Sequence, residues 1–527
     1  MHTKATLIFF ILLSLFSCTT ETVEEVILPF EQQNISVNEK IKQAITLDYL
    51  QENGFPDSSF QYLTQFYSER DFSPKWVNDS MLTSIGIQIK EKLELPFSFA
   101  LPAKRIPHYT TTNYIQDELM LTLSVAQMVY DLDSGVIDFE NKLVKEKHFI
   151  PTERLNKITF NNQEDIRLQF LQFGPQDSSY QLIGKGLVEM IDSIILDTSI
   201  FNIVSIKYDT LDAESKTSNA LISKGYLNNT TNDSSTFSNA LGKFQLDNAL
   251  KPDAVIGKYT SFALNESTFH KVERILLAMD KIRSRKKRPS RYLRINIPEY
   301  KLRYFINDSL KSEHNIVVGK TDHQTPELTA KLRKIVVYPY WNVPYSISSK
   351  EILPHLKRDP VYLEKHNYVL LRKDSIVDPY GVNWKKIRQN AFPYRVRQEP
   401  GPRNSLGIIK FDFYNTESVY FHDTPSKSLF GVDVRAYSHG CMRTQNPIDL
   451  AKVILERDEY RNKINEMTPD SLDSLYSLDT IANLEIKLLK PIPIFIEYQS
   501  VVREGERMKI YIDIYGRDEE YLKLIRE

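Results

Sequence analysis

The segment Tyr437-Ser-His-Gly-Cys-Met-Arg443 gathers the side chains of this 527-residue sequence that could do covalent chemistry. A cysteine attacks a carbonyl carbon as its thiolate, so a thiol of ordinary pKa near 8.5 needs a base or a positive surrounding. His422 is the candidate base: it follows the apolar, strand-like Val419-Tyr-Phe421 and precedes Cys441 by nineteen positions. Two strands joined by the small- and turn-residue loop between them would bring imidazole and thiol together. Gly440 lets the backbone approach a substrate closely, and the amides around Gly440 and Cys441 are natural donors to a tetrahedral oxyanion. Arg443 can hold a substrate carboxylate in a bidentate fork. His439, two positions from the cysteine, is poorly placed to turn onto the thiol and is assigned, with Ser438, to the substrate pocket and oxyanion region. Asn446-Pro447 reads as a cap and first helical residue, so the thiol lies shortly before a helix N-terminus whose dipole favours the thiolate.

Blander readings of the same residues stay open at this point. Ser-His-Gly-Cys can be a plain loop, and a Cys-His pair can bind metal; a zinc site wants three or four ligands, and only Cys441, His439 and His422 lie near, so neither metal nor cofactor is expected. The cysteine count supports a nucleophile. There are two, and if Cys18 carries lipid, Cys441 has no partner; an exported protein that keeps one free thiol in an oxidising compartment needs a chemical reason for it. Cys18 closes a signal-like start: His2 and Lys4, an apolar stretch from Ala5 to Leu15, then the lipobox-like Leu15-Phe-Ser-Cys18. The apolar stretch is short for a membrane span, and the following residues are polar, so a lipoprotein signal (1–18) is expected over a plain signal or an anchor. The expected place is the periplasm or cell envelope, tethered to a membrane through lipid.

The elements that must position this chemistry define a multi-domain α+β chain. Its length suggests about three domains, and 41% hydrophobic residues suffice for a core in each. With 67 basic and 68 acidic residues the charges nearly cancel, so no nucleic-acid partner is expected, and the basic run Lys281 to Arg288 reads as a solvated linker or helix end. A polar tether (19–40) precedes a mainly helical scaffold (41–215), shown by helical spacing in Gln116 to Tyr130 and a stop at Asp133-Ser-Gly135. A small helical unit (216–285) contains Ala240-Leu-Gly-Lys-Phe-Gln245 followed by a Pro-Asp turn. After Pro289 the period becomes two, as in Tyr292 to Ile297 and Leu302 to Ile306, and predicts a mostly β catalytic domain (290–500). Lys- and Pro-rich stretches at about 347–400 predict a helical insertion, an excursion of a length that usually serves function. A strand and tail (501–527) finish the chain.

These residues resemble the L,D-transpeptidases with a YkuD-type catalytic domain, whose signature is a histidine, a loop, then Ser/Thr-His-Gly-Cys with Arg or Asn two places on. Here it reads His422, fifteen residues, Ser438-His439-Gly440-Cys441 and Arg443. Tyr340-Trp-Asn-Val-Pro-Tyr-Ser-Ile347, Arg397-Gln-Glu-Pro-Gly-Pro402 and Tyr420 to Phe430 are similar to the large Gram-negative members, and 216–285 resembles a peptidoglycan-binding module. The resemblance implies that Cys441 attacks the third-residue carbonyl of a donor stem tetrapeptide, expels D-alanine and passes the acyl group to an acceptor amine as a 3→3 cross-link. It further implies His422 as the base, Trp341, Tyr420 and Arg443 as pocket residues, the 347–400 insertion as a substrate cap, and acylation of the thiol by carbapenems. Water in place of the amine would make an L,D-carboxypeptidase or wall hydrolase, and a degenerate domain a non-catalytic wall-binding lipoprotein.

Overall fold

The computed structural model describes residues 35–526 except 53, 96, 107–110, 112, 195, 197, 206, 208–211, 458–471 and 473–482; the signal-like segment and Cys18 lie outside the described residues. No described helix is long and apolar enough to cross a membrane. The expected tether is already helical at its end: Val37–Ala44 is a helix, because the Ser36 side chain accepts from the Glu39 amide.

The helical half is built around α1 (Tyr114–Ser134). Asn113 caps it through the Ile115 and Gln116 amides, Gly135 ends it at φ 74°, and nearly every residue between is buried. Such a helix must satisfy its polar groups internally. Glu118, fully buried, accepts from the Tyr67 hydroxyl at 2.7 Å and from the Lys75 and Trp76 amides at 2.7 and 2.8 Å. Farther on, α2 (Ser178–Ser193) packs, beyond the smaller helical unit that contains α3 (Ser234–Asp247), on α4 (Thr268–Arg283). Gln245 pins the turn after α3, donating to the Val255 carbonyl at 3.0 Å and accepting from the Ala254 amide at 2.8 Å.

The β half is one nine-stranded sheet. Its strands are β1 (Arg291–Asn296), β2 (Lys301–Ile306), β3 (Ser309–Gly319), β4 (Leu328–Val337), β5 (Ile409–Phe413), β6 (Phe421–His422), β7 (Ala436–Ser438), β8 (Met442–Thr444) and β9 (Leu484–Glu497). The order is β7-β3-β8-β6-β5-β4-β9-β1-β2, and β2 also pairs with β3, so the sheet closes on itself through the long β3. Closure removes the exposed edges an open sheet would leave. Most pairs are antiparallel, but β6–β8, β7–β3 and β9–β1 run parallel. Helix α5 (Pro447–Arg457) follows β8 and covers the core with Leu450, Ala451 and Ile454.

Three features differ from expectation. The insertion has helical turns over Tyr345–Leu356, but it is organised by an antiparallel sheet in the order Ser375–Ile376, Tyr368–Arg372, Arg395–Gln398 and Trp341–Asn342. Its own core includes Leu353, Leu356, Trp384 and Val396. Short apolar runs such as Tyr368-Val-Leu-Leu371 do not distinguish strand from helix by period. The basic run begins as the end of α4, as one of its two readings had it, but buried rather than solvated: Arg283 donates to the Tyr180 hydroxyl and the Ala100 carbonyl, while Lys281 donates to the Tyr498 carbonyl at 2.8 Å. The C-terminal segment is a hairpin (Val501–Glu504 with Arg507–Ile510) followed by α6 (Arg517–Arg526), and Val501 and Ile510 pack in the helical core beside Ile183 and Ile275.

Asp518 in α6 ties the halves together. Fully buried, it meets Arg274 at 3.1 Å and Lys281 at 3.2 Å, both from α4, and accepts from the Ser500 hydroxyl. Among the described residues, Asp518→Ala leaves Lys281 without a carboxylate and Arg274 with Glu266 alone, and a loss of about 3–5 kcal/mol is expected in urea denaturation.

Candidate active site

Register places the reactive side chains. In the parallel pair β6–β8, Phe421 lies beside Met442 and His422 beside Arg443, and the Met442 amide bonds the Tyr420 carbonyl at 3.0 Å. Phe421 and Met442 are fully buried in the sheet core. Successive side chains on a strand point to opposite faces, so Tyr420, His422, Cys441 and Arg443 all emerge on the other one. Lys410 of β5, opposite His422 across the next ladder, joins them, with its ammonium 4.2 Å from the Tyr420 ring centroid.

The approach to Cys441 is a braced turn. The buried Ser438 hydroxyl donates to the Cys441 carbonyl at 2.5 Å and accepts from the Gly440 amide at 3.2 Å. Gly440 sits at φ 107°, a conformation strained for any L side chain. Its carbonyl accepts from Thr325 Oγ1 at 2.8 Å, and that same oxygen accepts from the Gly319 amide at 2.9 Å. Tyr515, from the C-terminal segment, accepts from the Thr325 amide and donates to the Gly319 carbonyl. Two sequence assignments change in consequence. Ser438 is spent inside the turn rather than facing a substrate, and the Gly440 amide, assigned as an oxyanion donor, is already held by Ser438.

The electrostatics favour neutral partners. The Tyr420 hydroxyl is the thiol's side-chain hydrogen-bond partner. Burial pushes the Cys441 pKa up, outweighing the bonds from Tyr420 and the charges of Lys410 and Arg443. The expected helix-dipole effect does not reverse this, because β8 intervenes between the cysteine and α5 and the dipole fades within a turn. His422 donates from Nδ1 to the Asp423 carbonyl, so in the neutral ring Nε2 is the basic atom. Burial first, and Arg443 second, push its pKa down to about 3. As the same-face diagonal neighbour of Cys441, His422 is separated from it by about 7–8 Å at the backbone. Asp423 is itself fixed: its carboxylate accepts from the Ile408 amide at 3.1 Å, and a Cβ at Gly407 would collide with it.

The remaining predicted residues ring this face. Arg443 is half-buried, and no carboxylate among the described residues pairs with it. His439 points away from the thiol toward Glu351 of the insertion, at 2.8 Å, with its ring edge-on to His323. Trp341, also in the insertion, hydrogen-bonds Tyr420. Beside Tyr420 opens a cavity of about 710 Å³ lined by Asp412, Tyr414, Val419 and Leu488 among others. No group of three or more His, Cys, Asp or Glu side chains among the described residues could hold a metal. Sequence reasoning did not find Thr325, Tyr515, Glu351 or Lys410, whose links to the cysteine are long-range; Asp423 lay in the quoted Phe421-His-Asp423 run, but its use is through its backbone carbonyl.

Residues 290–464 match the YkuD family, the L,D-transpeptidase catalytic domain. Over 225 residues the chain is 34% identical to a Haemophilus influenzae protein named "Putative L,D-transpeptidase", an alignment covering 42% of this chain and 44% of that one; the chain thus spans less than half of its curated relative. Solved structures with a remote likeness include an L,D-transpeptidase from Mycobacterium smegmatis (11% identity, 40% of this chain and 58% of that one, TM-score 0.16). Two others are the Ldtfm-avibactam carbamoyl enzyme (10%, 72% and 98%, TM-score 0.17) and a mutant L,D-transpeptidase of Enterococcus faecium (9%, 71% and 99%, TM-score 0.16).

The depressed His422 pKa has a sign that can be tested. Between the ordinary imidazole value near 6.5 and about 3, the unfolded chain binds a proton that the folded ring refuses, so stability falls as pH drops through that window. Denaturant titrations at pH 7, 6, 5 and 4 should show His422→Gln losing less stability with acid than the parent. The difference in slope should approach about 1.4 kcal/mol per pH unit near its steepest. Equal slopes would place the ring in contact with water.

Proposed function

We propose, from the YkuD-type L,D-transpeptidase catalytic domain carried by residues 290–464, that this protein is a cysteine acyltransferase that forms 3→3 cross-links between peptidoglycan stem peptides. The observation that carries the reading is the placement of Cys441, Tyr420, His422 and Arg443 on one face of two paired strands. Arg443 receives a carboxylate of the donor tetrapeptide, for which it has a fork to offer. His422 Nε2 takes the thiol proton as sulfur attacks the third-residue carbonyl. With the Gly440 amide engaged by Ser438, the Tyr420 hydroxyl is the donor best placed to meet the developing oxyanion. The imidazolium returns its proton to the departing amine, D-alanine leaves, and a thioester remains. The amine of a neighbouring stem then attacks the thioester, loses its proton to His422 and regenerates the thiol.

The same reading assigns the flanking units. Glu351 on His439 and Trp341 on Tyr420 support the insertion as a substrate cap, and the Gln245-pinned turn supports 216–285 as a wall-binding module. We assign Cys18 as a lipid anchor holding the protein in the cell envelope, and carbapenems as acylating inhibitors of Cys441.

Purified protein incubated with disaccharide-tetrapeptide and followed by mass spectrometry should yield a dimer lacking one D-alanine; Cys441→Ala should give none. Tripeptide alone would make the enzyme a carboxypeptidase, and no product with no carbapenem adduct would defeat catalysis altogether. Tyr420→Phe, which keeps the ring and removes the donor, should lower kcat by about 10²-fold. Labelling of cells with a lipid precursor should mark the parent but not Cys18→Ala.

A further inference from the structure

A second cavity, of about 940 Å³, shares no lining residue with the surroundings of Cys441. Its walls come from three parts of the chain: α2, the small helical unit with the first turn of α4, and the C-terminal hairpin. The volume lies at the upper end of small-ligand sites. Six basic and three acidic side chains line it. The acids are each matched: Glu506 with Arg503 at 2.8 Å, and Glu189 with Lys185 and Asp247 with Arg507, both at 4.0 Å. Lys271 makes no ion pair among the described residues, and Glu266 and Asp247 act on it only from farther off. It is 4% exposed, donates to the neutral Asn248 amide oxygen at 2.8 Å and lies 4.6 Å from the Phe244 ring centroid. One amide oxygen uses one of three ammonium donors and supplies no counter-charge. Burial lowers its pKa to about 7, as expected of a cation in that position. Exposed Lys243 stands at the same cavity, 5.9 Å from the Tyr226 ring centroid.

We propose that this cavity is a second ligand site, which seats a carboxylate-bearing peptide fragment of the wall polymer with its carboxylate on Lys271 and Lys243. The cations ask for an anion, and the apolar wall of Met190, Ile194, Tyr226, Met508 and Ile510 asks for an aliphatic or peptide body beside it. A carboxylate suits two ammonium groups acting as point charges, whereas a phosphate dianion favours an arginine fork or a nest of amides. Because the walls belong to separate parts of the chain, an occupant would also fix the small unit against the scaffold. The choice of the wall polymer as source rests on the function proposed above; the anion site itself does not.

The test is calorimetric titration of the chain carrying Cys441→Ala with disaccharide-tripeptide. Two classes of site are expected. Adding Lys271→Gln should weaken one class at least tenfold, and Lys243→Glu, at an exposed position that leaves packing untouched, should do the same. Unchanged affinities in both lysine variants would overturn the site. Displacement of the fragment by inorganic phosphate more readily than by acetate would overturn the carboxylate assignment. Turnover of tetrapeptide by the unmodified chain is read separately: its absence alongside lysine-dependent binding would strike the catalytic reading and leave this one standing.

Discussion

The parallel pairing of β6 with β8 is the constraint on which the site depends. Phe421 and Met442 are fully buried in the sheet core, and a one-residue slip of either strand would expose that residue and turn the reactive side chains inward. Burial of a large apolar side chain is worth about 1.5–3 kcal/mol, so core packing holds the register that aligns thiol, phenol, imidazole and guanidinium. The catalytic geometry is thus a by-product of hydrophobic alternation. Ring closure strengthens it, because β8 and β6 lie inside the sheet and neither is free to shift alone.

The same burial decides how the chemistry must run. A preformed thiolate–imidazolium pair would need both charges desolvated beside Arg443, and the low His422 and raised Cys441 pKa values show that the site favours neither charge. On the proposed function, proton transfer then belongs to the attack itself, when the developing oxyanion offers a charge that Tyr420 can meet. The imidazole is unprotonated at neutral pH, and with its pKa pushed down to about 3 it is a weak base until charge develops on the substrate. The cost is a weaker resting nucleophile, and the compensation is that a protonated thiol is also a poor target for oxidants.

How much of this was legible in the sequence follows from separation along the chain. Cys441, Gly440, Ser438 and Arg443 are local to one motif, although the strands that carry them, three residues each, are too short to announce themselves by period; His422 was within reach through its spacing and the strand before it. Thr325 and Tyr515 were not legible: they brace Gly440 from 115 and 75 positions away, through bonds that no periodicity encodes. Burial was only half legible. Alternation marks which face is covered, but not that Gly440 would lend its amide to Ser438, nor that β8 would hold the cysteine away from the dipole of α5. The insertion misled for a simpler reason. Its strands are two to five residues long, too short for either period to show.

The braces at Gly440 and the contacts from the insertion differ in kind. The Thr325 hydroxyl forms its bonds within the buried interior, protected from water, and the half-buried Tyr515 backs them from the side. Glu351 and His439 meet with half or a third of their side chains exposed, and a pair so placed is worth at most about 1 kcal/mol. A contact that weak is readily broken at the cost of a few hydrogen bonds to water, whereas the turn beneath it is not. The nucleophile is therefore mounted rigidly from below and covered lightly from above. On the proposed function, that asymmetry suits a site that would admit a polymer-linked peptide, exclude water while a thioester exists, and open again for an amine.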